Sequence, residues 1–267
     1  MKLVASSAAV VFALLAGCKS PEEPPAATPA TIHPPAQVAV TAAPAPSSPP
    51  VATTTTVPIA TASPAEASLP PPKPTTITLA RTNDAQLDAK LAEADKAFEA
   101  GDLAAALAGY EAAKKASPKR AAPIVGVARV KITKASPTLG FAAAEKNVDV
   151  IAASKDLKRA ADMEPAYGPA HVEHGRALLL LGDAPQAEVA LRKGTKLVPE
   201  EPEAHSALGV ALLATGKTEE ALVELTKAKD LDPGSAARRG NLGTVLFMRG
   251  RVKDAIKEYE VQARLVP

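Results

Sequence analysis

Apolar residues in the last hundred positions recur at intervals of three and four, the spacing of one face of an α-helix. In residues 202–235 a first stripe holds Ala204, Leu208, Ala211 and Leu212, and a second holds Ala221, Leu225, Ala228 and Leu231. Between the stripes, Gly216 is free to take positive φ in a turn. Asp232-Pro233 ends the second stripe, because the residue before a proline is disfavoured in the helical region. The pattern predicts two short helices joined by a tight turn.

This pattern occurs three times at a spacing of 34 residues. The glycines in step are Gly175, Gly209 and Gly243, and the prolines that close the units are Pro199, Pro233 and Pro267. A fixed period of this size marks a stacked repeat array, in which short helix pairs must pack on their neighbours to build a core. Gly209 lies on the apolar face of the first helix, where the missing side chain allows close approach of the second helix.

These positions resemble the tetratricopeptide repeat (TPR) family, with small residues at the helix contacts, large residues at the packing positions and a proline after the second helix. Three residues replace the family's first-helix tryptophan: His171, His205 and Arg239. His174 stands where leucine is usual, and Gln262 where alanine is usual. The resemblance implies an all-α, right-handed superhelix of helical hairpins that binds other proteins, without identifying them.

About five repeats are predicted within a TPR domain at residues 81–267. Their ranges are 87–120, 121–167, 168–201, 202–235 and 236–267. The second unit is longer than the 34-residue period, and the extra residues fall around 135–147, between its two helices. This insert is either a surface elaboration or a partner contact.

A separate signal precedes the array. Residues 3–16 form an apolar run behind Lys2, too short to span a bilayer and typical of a secretory signal. The run ends in Leu15-Ala16-Gly17-Cys18, which resembles the bacterial lipobox, whose cysteine is lipidated. Cys18 is the sole cysteine, so no intrachain disulfide can form. By the same resemblance, Lys19 rather than Asp after the cysteine favours the outer membrane of a Gram-negative envelope, facing the periplasm.

Residues 19–80 form a linker rich in proline, threonine and alanine. They hold 16 of the chain's 26 prolines and no aromatic residue. Such a composition cannot bury enough apolar surface to fold and biases the chain to extended conformations. We expect a disordered linker, which serves either as a tether of functional length or as a simple spacer.

Charge and motifs argue against several classes of function. The formal net charge is +2, and no basic stripe interleaves with aromatic residues, so we expect no nucleic-acid partner. No nucleophile elbow, phosphate loop or spaced carboxylate pair is found, and we predict neither an enzyme nor a cofactor. A metal or small-molecule site near His171, His174 and His205 is the alternative function, although their repeat positions favour a structural role and we predict no metal.

In the TPR architecture, first helices line a concave face, and the resemblance implies a partner-binding groove there. Its predicted residues are Arg129, Val172, Arg176, Leu179, Leu180, Ser206, Val210, Leu213, Thr244, Phe247 and Met248. The groove is largely apolar, which suits a partner helix or an extended apolar segment. The last repeat is predicted to carry a second surface, which either pairs with a second copy of the chain or receives a partner helix. Its apolar residues are Ile256, Tyr259 and Leu265.

Together these features predict a lipid-anchored scaffold or assembly factor in the bacterial cell envelope. Similar lipoproteins assist secretin and pilus assembly, secretion systems, motility complexes and cell-wall enzymes. The sequence favours none of these pathways over the others.

Overall fold

The computed structural model describes residues 76–135 and 146–265. Within those ranges it contains ten α-helices and no strand, which confirms the predicted all-α class. The helices are α1 (Ala85–Glu99), α2 (Leu103–Ala116), α3 (Ala121–Ala135), α4 (Val148–Met163), α5 (Gly168–Leu180), α6 (Ala184–Leu197), α7 (Pro202–Ala214), α8 (Thr218–Leu231), α9 (Ala236–Met248) and α10 (Val252–Leu265). Cys18, linker residues 19–75, insert residues 136–145 and Pro267 lie outside the described residues.

The helices form a solenoid of five consecutive pairs. Each helix packs on its neighbour in sequence, and the odd-numbered helices, the first of each pair, also contact one another along the array. The odd-numbered helices therefore make a continuous layer, and this layer carries the surface on which the resemblance placed the binding groove.

The turn inside a pair uses glycine in the left-handed region. Gly216 has a φ of +78°, and the amide of Lys217 behind it donates to the carbonyl of Leu212 at 2.8 Å. Gly101, Gly182 and Gly250 hold the same conformation in three other pairs. The predicted turn at Gly216 is confirmed, and the helices on either side end and begin at Ala214 and Thr218.

The close approach predicted at Gly209 is also present. A methyl group on Gly209 would lie 2.5 Å from Cγ of Leu225, well inside van der Waals contact. All four residues of the first predicted stripe are buried, as are Ala221, Leu225 and Ala228 of the second. The helical spacing in the sequence therefore identified the packing faces of α7 and α8.

The packed region begins before residue 81. Ile77 and Leu79 are both fully buried, so the boundary placed at residue 80 differs from the structure. We call residues 76–82 the leading segment. Composition could not separate it from the linker, because its burial depends on contacts with helices far along the chain.

Candidate functional site

The leading segment lies on the first helices of the array, held through its main chain. Arg129 Nη2 on α3 donates to the carbonyl oxygen of Ile77 at 2.6 Å. The amide of Leu79 donates to Asp95 Oδ2 on α1 at 2.7 Å. Tyr167 Oη, just ahead of α5, donates to the carbonyl oxygen of Leu79 at 2.7 Å. Two successive repeats thus contribute main-chain contacts to one binding site for an extended chain.

The two apolar side chains of the segment enter different parts of the core. Ile77 belongs to the cluster that contains Val172 and Leu179 of α5. Leu79 belongs to the cluster that contains Leu91 and Tyr110 of the first pair. Thr78 between them donates its hydroxyl to Asp95 Oδ2 at 3.0 Å. The segment therefore alternates apolar and polar contacts, as an extended chain does.

The end of the segment is fixed by charged side chains. Arg81 Nη2 lies 2.7 Å from Glu201 Oε2, and Arg120 Nη2 donates to the carbonyl oxygen of Thr82 at 2.6 Å. The amide and the hydroxyl of Thr82 both donate to Asp88 Oδ1, at 2.9 and 2.7 Å. These contacts turn the chain into α1, whose first turn is capped by Asp84.

A chain of alternating charges, which we call the charge chain, begins under the segment and crosses every repeat boundary of the array. Its members in order are Asp95, Arg129, Glu173, Arg176, Glu203, Arg238 and Asp232. Successive members lie 3.0 to 3.6 Å apart, and all except Arg176 are almost fully buried. Arg129 is the member of the charge chain that donates to the main chain of the leading segment. Its guanidinium carbon also lies 5.3 Å from the centroid of the Phe98 ring.

The arginines of the charge chain outweigh the effect of burial on the pKa of one glutamate but not on that of the other. Burial opposes ionisation of Glu173, yet Arg176 and Arg129 hold its pKa below the ordinary value. Burial raises the pKa of Glu203, although Arg176 and Arg238 lie beside it. Glu173 is therefore the anion on which the two arginines of the groove converge.

Most of the predicted groove residues are buried rather than open. Arg129, Val172, Leu179, Ser206, Val210 and Leu213 are all buried. Val172, Leu179, Val210 and Leu213 share the cluster that receives Ile77. This burial has a physical reason: first helices of adjacent repeats contact each other, and the leading segment covers part of the layer. These residues do not form a free apolar surface.

The open part of the predicted groove lies toward the last repeat. Phe247 is 61% exposed and Met248 is also exposed, while Arg176, Leu180 and Thr244 are half-buried. Partner binding at these positions stays a prediction.

Two of the three histidines that raised a metal hypothesis, His171 and His205, bind main-chain carbonyls. His171 Nε2 lies 3.0 Å from the carbonyl oxygen of Pro165, and His205 Nε2 lies 2.8 Å from that of Pro199. Arg239 repeats the contact one period later, with Nε donating to Pro233 at 3.1 Å. The residue in the tryptophan position therefore ties α5, α7 and α9 each to the end of the preceding repeat. Among residues 76–135 and 146–265, no three potential ligands come together around a metal position.

The leading segment and the charge chain were the parts of the site that sequence reasoning missed. Arg129 and Arg176 were predicted as groove residues, but their partners Asp95 and Glu173 were not paired with them. A signal existed in the alternation Ile77-Thr78-Leu79, which is the period of an extended chain rather than of a random linker. None of the helices that the structure describes is long and apolar enough to cross a bilayer.

The arrangement defines a class: an α-helical repeat protein with an extended chain bound on its first helices. Residues 172–236 match the family model described as tetratricopeptide repeat, and the described helices form a TPR-like helical-repeat solenoid. No curated protein sequence matches the chain.

Solved structures share the fold at low identity. A thermophilic TPR protein of Thermus thermophilus matches with a TM-score of 0.54 at 19% identity, over 68% of this chain and 92% of that chain. Pseudomonas aeruginosa pilF matches with a TM-score of 0.54 at 18% identity, over 69% of this chain and 78% of that chain. MamA of Desulfovibrio magneticus RS-1, from residue 41 onward, matches with a TM-score of 0.50 at 17% identity, over 67% of this chain and 94% of that chain.

Proposed function

We propose that this protein is a lipid-anchored interaction scaffold of the bacterial cell envelope, and that it holds segments of partner proteins on its first helices. One observation carries the proposal: the array already holds an extended chain, its own leading segment, by main-chain hydrogen bonds and two buried side chains. A surface that binds one extended chain in this way has the chemistry to bind another.

Anchoring and location rest on the sequence before the array. The apolar run that ends in Leu15-Ala16-Gly17-Cys18 supports lipidation, and Lys19 supports the outer membrane, facing the periplasm. More than one acyl chain is needed for durable attachment, since a single chain binds a bilayer only marginally. The proline-rich residues that follow supply a tether to the array.

Assembly of an envelope complex is the finer proposal. A TPR scaffold on a tether can collect subunits at the membrane without catalysing a reaction. Secretin and pilus machinery, secretion systems, motility complexes and cell-wall enzymes are the complexes that lipoproteins of similar layout serve.

Exposed residues in the last repeat support a second mode of association. Ile256 is 50% exposed and Tyr259 is 38% exposed, both on α10, near the exposed Val252. We propose that this face pairs with a second copy of the chain.

Site-specific photo-crosslinking in intact cells tests the scaffold. A photoreactive residue at Phe247, which is 61% exposed on the first helix α9, should crosslink one discrete protein. The matched control is Val189, 72% exposed on the second helix α6, which should give no such product. Equal labelling from both positions, or from neither, would contradict a binding face on the first helices.

Fractionation tests the anchor separately. Replacement of Cys18 by serine should leave the protein unprocessed or release it from the membrane, because the acyl chains have no other attachment site. A Cys18→Ser protein that is still mature and membrane-bound would show that the anchor lies elsewhere.

A further inference from the structure

The leading segment has the contacts of a bound peptide rather than of a core element. Its main chain makes hydrogen bonds at Ile77 and at both ends of Leu79, to Arg129, Asp95 and Tyr167. These bonds do not depend on the side chains of the segment. Two side chains, Ile77 and Leu79, then enter separate apolar clusters. The site thus combines main-chain anchoring with two side-chain pockets two residues apart.

The contacts also fix the conformation of the ligand. The amide and the carbonyl of Leu79 both bond to the array, to Asp95 and Tyr167 respectively. An α-helix satisfies these groups internally, so a helical ligand cannot make both bonds. The site accepts an extended chain.

A hinge separates the leading segment from α1. Asn83 has a φ of +60°, and Asp84 Oδ1 accepts hydrogen bonds from the amides of Gln86 and Leu87. Because Asp84 supplies this cap by itself, residues 76–81 can leave the groove while Thr82 keeps its bonds to Asp88 and α1 keeps its first turn.

The charged side chains under the segment keep ion-pair or hydrogen-bond partners when the segment leaves. Asp95 keeps the hydrogen bond from Tyr110 Oη at 2.6 Å, and Glu173 keeps Arg176 at 3.1 Å. Arg129 keeps Glu173 at 3.0 Å. Asp95, Glu173 and Arg129 therefore each keep a partner in the emptied site, and water can solvate the face that the segment covered.

From these contacts we infer that residues 76–82 are a built-in competitor, and that the groove they occupy is the receptor for an extended partner segment of the pattern apolar-x-apolar-x-basic. Ile77 and Leu79 define the two apolar positions, and Arg81 defines the basic one through its ion pair with Glu201. The inference rests on the proposed scaffold function and names the ligand class of its groove. A partner binds when it displaces the leading segment.

A synthetic peptide with the sequence of residues 76–83 and a fluorescent label is the probe. Fluorescence anisotropy measures its binding to the full-length chain and to a full-length Ile77→Gly/Leu79→Gly variant, in which the competitor is weakened without a new charge. The variant should bind the peptide about tenfold more tightly or better, because apparent affinity scales with the fraction of open sites. A peptide with glycine at both apolar positions is the matched control and should not bind. The inference is overturned if the wild type and the variant bind the peptide equally, if neither binds it, or if the control peptide binds as well as the probe.

Hydrogen exchange on the unaltered chain gives an independent test that does not need a variant to fold. If the segment is a competitor, the Leu79 amide should exchange about tenfold or more faster than the amide of Leu208 in α7, because local release precedes global unfolding. Equal protection of the two amides would make the segment a permanent part of the core and overturn the inference.

The outcomes separate this inference from the scaffold. Crosslinking from Phe247 with no peptide binding leaves the scaffold standing and removes the competitor. Peptide binding without a crosslinked product from Phe247 leaves the competitor standing and removes the proposed scaffold function. A mass that doubles with concentration, and returns to monomer in the Ile77→Gly/Leu79→Gly variant, would assign the groove to a second copy and overturn the partner assignment.

Discussion

The guanidinium of Arg129 and the carbonyl oxygen of Ile77 are 2.6 Å apart, although 52 positions separate the two residues in the chain. The same guanidinium lies 3.0 Å from Glu173 and 3.5 Å from Asp95. One side chain therefore joins the leading segment to the first helices of three repeats, and its removal affects both stability and the binding groove.

Replacement of Arg129 by methionine should lower the free energy of unfolding by about 3–5 kcal/mol, because Asp95 and Glu173 lose their shared buried cation. Urea unfolding followed by circular dichroism measures the loss. The control is Arg159→Met on α4, whose ion pair with Asp156 is largely exposed and should contribute less than about 1 kcal/mol. Equal losses in the two variants would contradict a special cost of leaving Asp95 and Glu173 without their shared cation.

The contact between Gly209 and Leu225 should appear as coupling in a double-mutant cycle. Gly209→Ala should cost about 1–3 kcal/mol, because the new methyl group lies 2.5 Å from Cγ of Leu225. In a Leu225→Ala background this cost should fall, since the obstructing side chain is gone. Gly216→Ala has no neighbour within 4 Å and should cost the same in both backgrounds. Identical coupling at both glycines would contradict the packing account.

Glu188 should make part of the stability dependent on acid. It accepts hydrogen bonds from Lys217 at 2.6 Å, Arg192 at 2.9 Å and Thr215 at 3.0 Å, and these lower its pKa to about 2 against the opposing effect of burial. A lowered pKa of an acid stabilises the fold above the ordinary value of 4.5, and the contribution is lost as pH falls through the window from 4.5 to about 2.

Unfolding free energies as a function of pH therefore distinguish Glu188→Gln from the wild type. The variant should be less stable by about 1–2 kcal/mol near neutral pH, with the difference shrinking below pH 4.5. Lys217→Met removes one of the donors to Glu188 and should also reduce the part of the unfolding free energy that is lost between pH 4.5 and about 2. A difference that is constant with pH would exclude Glu188 as its source.

Self-association through α10 should depend on its exposed apolar residues. Ile256→Glu should keep the chain monomeric at concentrations where the wild type dimerises, as measured by sedimentation equilibrium. Tyr259→Glu should act in the same direction, although Tyr259 also packs over Gly243 and its loss affects the fold. A wild type that is monomeric throughout would remove the proposed dimer.

The helices were accessible to sequence reasoning because their determinants are local and repeated. Gly216 sets a turn between helices only three residues apart, and Gly209 faces Leu225 only 16 positions away within one repeat. The period of 34 then supplies several copies of each signal. Fold class and packing faces could be derived on this basis.

The groove was less accessible because its determinants are distant and occur once. Arg81 meets Glu201 across 120 positions, and Tyr167 meets Leu79 across 88. Asp95 and Arg129 share a repeat position, so the sequence placed both on one surface without showing that they pair. The leading segment follows a proline-rich stretch, and its composition gave no separate indication of burial.

The charge chain has a consequence for how the array comes apart. Repeat proteins with apolar junctions can fray from their ends, since each unit depends only on nearest neighbours. Here each junction is spanned by an acid on one side and an arginine on the other. Detachment of a terminal repeat breaks these ion pairs but also exposes the released charges to water, which solvates them, whereas an exposed leucine gains no such compensation. The ends of the array should therefore fray more readily, and with a stronger dependence on salt, than the ends of an array with purely apolar junctions.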